Sequence, residues 1–95
     1  MGPTCEVSLI RFDAELLDRI HLHICNEADE VVCTRNGRVW DVWIEGRPIH
    51  VQADGAPPAI LLSAGRSQPE DWAAIERLVV SLANALGGNA SQPVK

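Results

Sequence analysis

Two short turn signals sit inside the segment VVCTRNGRVWDVWIEGRPIHVQ, residues 31–52, and between them they leave it very few ways to fold. Asn36-Gly37 suits a type I′ hairpin turn, because that turn needs positive φ at both central residues and Asn and Gly accept it most readily. With this turn, Thr34 pairs with Val39, Cys33 with Trp40 and Val31 with Val42. Glu45-Gly46 supplies a second turn, which sets Ile44 against Arg47, Val42 against Ile49 and Trp40 against Val51. The two registers agree. One face of the resulting meander collects Val31, Cys33, Trp40, Val42, Ile44, Ile49 and Val51, and a slip of one residue would send the whole set into water. That face is expected to be the core. The other face carries Val32, Thr34, Val39, Asp41, Trp43, Pro48 and His50 and is mixed rather than polar.

The meander needs a cover, and the segment after Gly65 provides one. Ser67 followed by Glu70 reads as a capping box, and Glu70 and Asp71 lie in a first turn where the helix dipole favours negative charge. Trp72, Ile75, Val79, Leu82 and Leu86 form a stripe at three- and four-residue spacing, broadened by Leu78 and Ala83, and Gly87-Gly88 ends it. Upstream, Glu6 to Arg11 alternates as a strand. Asp13 reads as an N-cap, with Phe12 and Leu17 as a hydrophobic staple, so a helix is predicted from Ala14 to Ile24. Ile20 to Cys25 also alternates strictly, so periodicity alone leaves a strand open there. Ala53 to Pro58 reads as a loop and Ala59 to Ala64 as a strand covered on both faces. Residues 1–5 and 89–95 read as loose or disordered ends. The expected fold is one α+β domain over residues 1–95, in the order β-α-β-β-β-β-α. It has a mostly antiparallel sheet of about five strands, with the C-terminal amphipathic helix packed on one face.

Charge and composition exclude several functions. Thirteen acidic residues stand against eight basic ones, a net charge of −5, which argues against nucleic acid, since phosphate binding needs a concentrated basic surface. No apolar run approaches the roughly 20 residues a membrane helix needs. The start lacks the basic and then apolar regions of a secretory signal, and Glu6 stands where a myristoylation motif has Ser or Thr. Three sparsely placed cysteines fit a reduced setting, and a small soluble cytoplasmic protein is expected.

Four groups of residues could carry chemistry. His21, His23, Cys25 and Cys33 are zinc-type ligands, but a helix over residues 20–25 would turn His21 and His23 to opposite sides, and their spacing matches no standard zinc pattern. Neither a metal nor another cofactor is expected. Asp41 and His50 fall opposite each other, which is half of a triad arrangement. Thr34 is on the same face without an activating context, so no catalytic residue is assigned. Arg35 and Arg38 flank the Asn36-Gly37 turn and could grip a carboxylate or phosphate on a partner. Gly65-Arg66-Ser67 precedes a helix N-terminus but lacks the glycine spacing of a phosphate loop.

Trp43 points away from the core face, beside Val32 and Val39, and needs a cover that is either the first helix or another protein. The function expected from these residues is a non-enzymatic protein-interaction module. Its interface would be Trp43, Val39, Val32, Arg35 and Arg38, and its partner a second copy in a homodimer or another protein. The alternatives are a small enzyme or ligand-binding domain built on Asp41 and His50, and behind it a metal-binding protein using the His-Cys group.

Overall fold

The structure, a computed structural model, describes residues 2–34 and 37–90. The elements run β1 (Thr4–Ser8), α1 (Ala14–Glu27), β2 (Glu30–Thr34), β3 (Val39–Ile44), β4 (Arg47–Gly55), β5 (Pro58–Ala64), α2 (Pro69–Leu86) and β6 (Asn89–Ala90). They form one six-stranded antiparallel sheet in the order β2-β3-β4-β5-β1-β6.

The meander registers are those set by the two turns. Val31 pairs with Val42 and Cys33 with Trp40; Val42 pairs with Ile49 and Trp40 with Val51. Glu45 and Gly46 take φ of 52° and 76°, the left-handed values the second turn requires, and Gly37 takes 76°. Asn36 and Arg35 lie outside the described residues. Trp40, Val42 and Val51 are fully buried, and Ile44 and Ile49 nearly so. Cys33 departs from expectation. It alternates to the core side, but β2 is the end strand of the sheet and leaves the thiol exposed.

Helix α1 begins where the sequence indicates. Asp13 accepts a hydrogen bond from the Leu16 backbone N–H at 2.9 Å. The helix then runs on through Glu27, three residues past Ile24, so the strand alternative for residues 20–25 fails. Leu16, Ile20 and Ile24 join Trp40, Val42, Ile75, Leu78 and Leu82 in a single core. Both helices therefore pack on the same face of the sheet, and α1 does not cover the face that carries Trp43.

The N-terminus of α2 lies one residue beyond the expected cap. Pro69 is the first helical residue, Gln68 the N-cap and Asp71 the third position, whose carboxylate accepts from the Gln68 backbone N–H at 3.0 Å. Pro at the first helical position sacrifices no hydrogen bond and holds φ near the helical value. This pulls the cap away from Ser67 and Glu70. Gly87 ends the helix in the left-handed conformation, φ 71°.

Three segments expected to be loose or looped are strand. Thr4 and Cys5 belong to β1, which stops at Ser8 rather than reaching Arg11, and the Pro3 carbonyl accepts from Ala64 N–H at 2.9 Å. In this register Cys5 and Val7 enter the core, whereas Ile10 stays almost wholly exposed. Residues 53–55 extend β4 and Pro58 opens β5, so only Ala56-Pro57 turns. Pro58 has no N–H for the ladder, but its carbonyl accepts from Leu9 N–H at 3.0 Å. Asn89 and Ala90 add β6 against Ser8 and Val7, which is why the sheet has a sixth strand. Residues 91–95 lie outside the described residues.

Candidate functional site: the open face of the sheet

With both helices on one side, the other face of the sheet has no covering element among the described residues. The register sets four polar side chains in a row across it. Asp41 is opposite His50, His50 opposite Ser63, and Ser63 opposite Thr4. Asp41 Oδ1 lies 3.0 Å from His50 Nδ1. Beside this row a trough of about 680 Å³ runs over β1 and β5, with Leu61, Gln52, Ser63, His50 and Asn89 among its lining. A smaller hollow of about 280 Å³ lies between Trp43, Pro48, Asp41 and His50.

The Asp41–His50 pair is thus present as the sequence indicates, and the structure adds a hydroxyl the sequence reading missed. Ser63 was hidden in AILLSA, an almost all-apolar run whose faces cannot be told apart until its partner strand is known. The arrangement still falls short of a nucleophilic site. No hydrogen bond joins His50 to Ser63 among the described contacts. The in-plane backbone N–H groups of an antiparallel sheet are taken up by the ladder, so they offer no oxyanion hole.

The His-Cys group is dispersed by the helix. His21 Nδ1 accepts from the indole N–H of Trp40 at 3.0 Å. An indole only donates, so the proton of neutral His21 sits on Nε2, which faces Cys25 Sγ at 3.6 Å. A ring already protonated there cannot take the thiol proton, so this pair is no activated cysteine. His23 turns to the other helix, with Nε2 2.6 Å from Ser81 Oγ, and the Ser81 hydroxyl donates to Glu27 Oε1 at 3.1 Å. The imidazole here does not lie between hydroxyl and carboxylate, as a triad requires, so the trio reads as a polar latch between α1 and α2. Cys33 stands apart on β2. Among the described residues no three His, Cys, Asp or Glu side chains are grouped to hold a metal ion.

The expected interface residues separate. Val32 is 46% exposed and Leu61, which was not singled out, 37%, whereas Val39 on the same face is only 7% exposed. Trp43 is half-buried beside Pro48. The Arg38 guanidinium lies 5.2 Å over the Phe12 ring, a cation–π contact within the chain. Arg35 lies outside the described residues.

Burial, and secondarily the negative charge of Glu76, pushes the Cys5 thiol from 9.0 up to about 11. Thiol-specific alkylation is expected to modify Cys25 and Cys33 first and Cys5 only as the protein unfolds, which peptide mapping can read. Because folding raises this group's pKa, its contribution is full below about pH 9 and fades as pH rises through about 11. The melting-temperature difference between the wild type and Cys5→Ala should narrow over that window, and a constant difference would count against the assignment.

No helix among the described residues is long and apolar enough to cross a membrane. No family model, curated protein or solved structure matches the chain.

Proposed function

We propose that the chain is a small non-enzymatic interaction module that binds through the open face of its sheet, either to a second copy of itself or to another protein. The observation that carries this reading is that α1 and α2 share one face, leaving Val32, Leu61 and the rim of Trp43 on the other without cover among the described residues. Glu30, Glu6, Asp41 and Asp54 lie on that face by register and, among the described residues, no lysine or arginine does, which makes a protein partner fit better than nucleic acid. Sedimentation of the wild type against Trp43→Lys tests the reading. Lysine is chosen because residue 43 faces Glu30 across the ladder, so the variant is not burdened by like charges. The wild type is expected to associate with concentration and the variant to stay a folded monomer. A wild type that is monomeric throughout and pulls no partner onto this face would sink it.

The second reading, an enzyme or ligand-binding domain, is favoured by the row Asp41–His50–Ser63 beside the trough. Screens with simple esters and phosphate monoesters should show no turnover that His50→Ala or Ser63→Ala removes. If both variants stay folded and both lose a rate that the wild type shows, the enzyme reading takes first place.

A further inference from the structure

We propose that the trough over β1 and β5 is a binding site for a small organic cation, an amine carried on an apolar body. This rests on the ligand-binding half of the second reading and asks no reaction of His50 or Ser63. It also leaves the other end of the open face, with Val32 and Trp43, to a protein partner.

The trough follows from side-chain size. Alternation buries Cys5 and Val7 of β1 and Ile60 and Leu62 of β5, so Thr4, Glu6 and Ser8 and Ala59, Leu61 and Ser63 face the open side. Leu61 is the one large apolar side chain among these six and is 37% exposed. Its neighbours along β5 are Ala59 and Ser63, and Thr4 and Ser8 lie diagonally across on β1. Small side chains around one leucine leave a depression of about 680 Å³ with an apolar floor. Asn89 and Ala90 of β6 border it on one side, and His50 and Gln52 of β4 on the other. Its volume falls within the roughly 300–1,000 Å³ of small-molecule sites. Margins on both sides suit a compact molecule better than a helix laid across the face.

Charge selects the occupant. The register sets Glu6 directly across from Leu61 on β1 and Gln52 directly across on β4. The Ser8 hydroxyl donates to Glu6 Oε1 at 3.3 Å, and Gln52 Nε2 donates to Asp54 Oδ1, also at 3.3 Å. Asp54 and His50 are the diagonal neighbours of Leu61 on β4. His50 has Asp41 3.0 Å away, so even a protonated ring brings no net positive charge. Among the described residues no lysine or arginine lines the trough, and the chain's net charge of −5 has the same sign as Glu6. The field over Leu61 is therefore negative. It repels carboxylates and phosphates and gives a neutral molecule nothing, whereas an ammonium group gains from it. Glu6 is exposed, so the apolar body supplies most of the affinity and the charge sets the preference.

Phenethylamine, phenethyl alcohol and hydrocinnamate share one apolar body and differ in charge, so they test the assignment. Each is titrated into dilute protein and followed by backbone amide NMR shifts. The amine is expected to bind about fivefold tighter than the alcohol, and the carboxylate weakest of the three, with shifts centred on Glu6, Leu61 and Asn89. Glu6→Gln keeps the size of the side chain and an oxygen for Ser8, and should bring the amine down to the level of the alcohol. Added salt should narrow the same gap in the wild type without any substitution. Leu61→Ser should weaken amine and alcohol alike. Equal binding of amine and alcohol by the wild type would overturn the cation assignment while leaving the ligand-binding reading in place. Binding of neither would overturn both. An amine preference that survives Glu6→Gln, or shifts centred on Val32 and Trp43, would put the cation elsewhere and overturn the proposal. The comparison of wild type with Trp43→Lys by sedimentation reads the protein-interaction surface separately from all of these.

Discussion

A Val42→Asp chain is expected to show no cooperative thermal transition and a far-ultraviolet spectrum of an unfolded polypeptide. Val42 is fully buried, on the central part of the meander, with Val31 on one side and Ile49 on the other. Removing its side chain from the core forfeits roughly 1.5–3 kcal/mol of burial. The carboxylate put in its place would sit in the apolar core, and an unpaired buried ion adds several kcal/mol more, or about as much if it folds protonated. A domain's whole net stability is about 5–15 kcal/mol, so one such group exhausts most or all of it. The control is Val32→Asp, one position after Val31, the residue that faces Val42 on the partner strand. Its side chain faces outward and is 46% exposed, and the change there should stay within about 1 kcal/mol. A Val42→Asp protein that melts cooperatively at the wild-type temperature would mean that the faces of the meander are assigned the wrong way round.

The second large effect is expected at Arg47. Its Nη1 lies 3.5 Å from Asp71 Oδ2, and Asp71 is completely buried. This contact ties the end of the β3–β4 turn to the first turn of α2. The other Asp71 oxygen has no hydrogen-bond partner, so the carboxylate relies on Arg47 and one backbone N–H. Arg47→Leu should lower stability by about 3 kcal/mol, the low end of what breaking a buried ion pair does, since the arginine side chain is 27% exposed and partly screened by water. Adding Asp71→Asn removes the stranded charge and retains an oxygen for the Gln68 N–H, so the double variant should recover more than half of that loss in urea titrations. If the single variant costs as little as an ordinary surface pair, or the double variant fares worse than the single, the pair is not the anchor described.

The contrast between Val42 and Val39 shows how far the sequence could be read. Alternation and two turns assigned Val42 to the core, and the ladder agrees. The same alternation put Val39 on the outward face, correctly, but could not foresee that it would be 7% exposed there, because burial on an open face depends on sheet curvature and on neighbours from strands not yet ordered. The stripe of α1 shows that it must cover something without showing which side of the sheet. Its joining α2 on one face is a matter of connection geometry, and that single choice is what leaves Trp43 half-buried and Leu61 bare. The cap of α2 was legible in principle, since Pro69 prefers the first helical position and so points to Gln68, yet the Ser67–Glu70 pattern matched more loudly. β6 spans two of the described residues, too few for any periodicity. Of the candidate site, Asp41 opposite His50 followed from the turn register, whereas Ser63 beside them required knowing that β5 lies next to β4.

The strand order has a kinetic consequence. Strands β2 to β5 each pair with the next in sequence, so they can zip up through short loops. β1 cannot, because Thr4 pairs with Ser63 and Ser8 with Ala59, across all the intervening chain. Closing so long a loop is entropically slow, and contacts of high sequence separation delay folding. β1 is therefore expected to arrive late, onto a β5 edge that stays bare until then, and β6 can arrive only after it. During that interval the growing sheet presents the whole length of β5 as a margin in addition to β2, and it is then, before β1 docks, that crowded chains of this sequence are most open to pairing with the wrong neighbour.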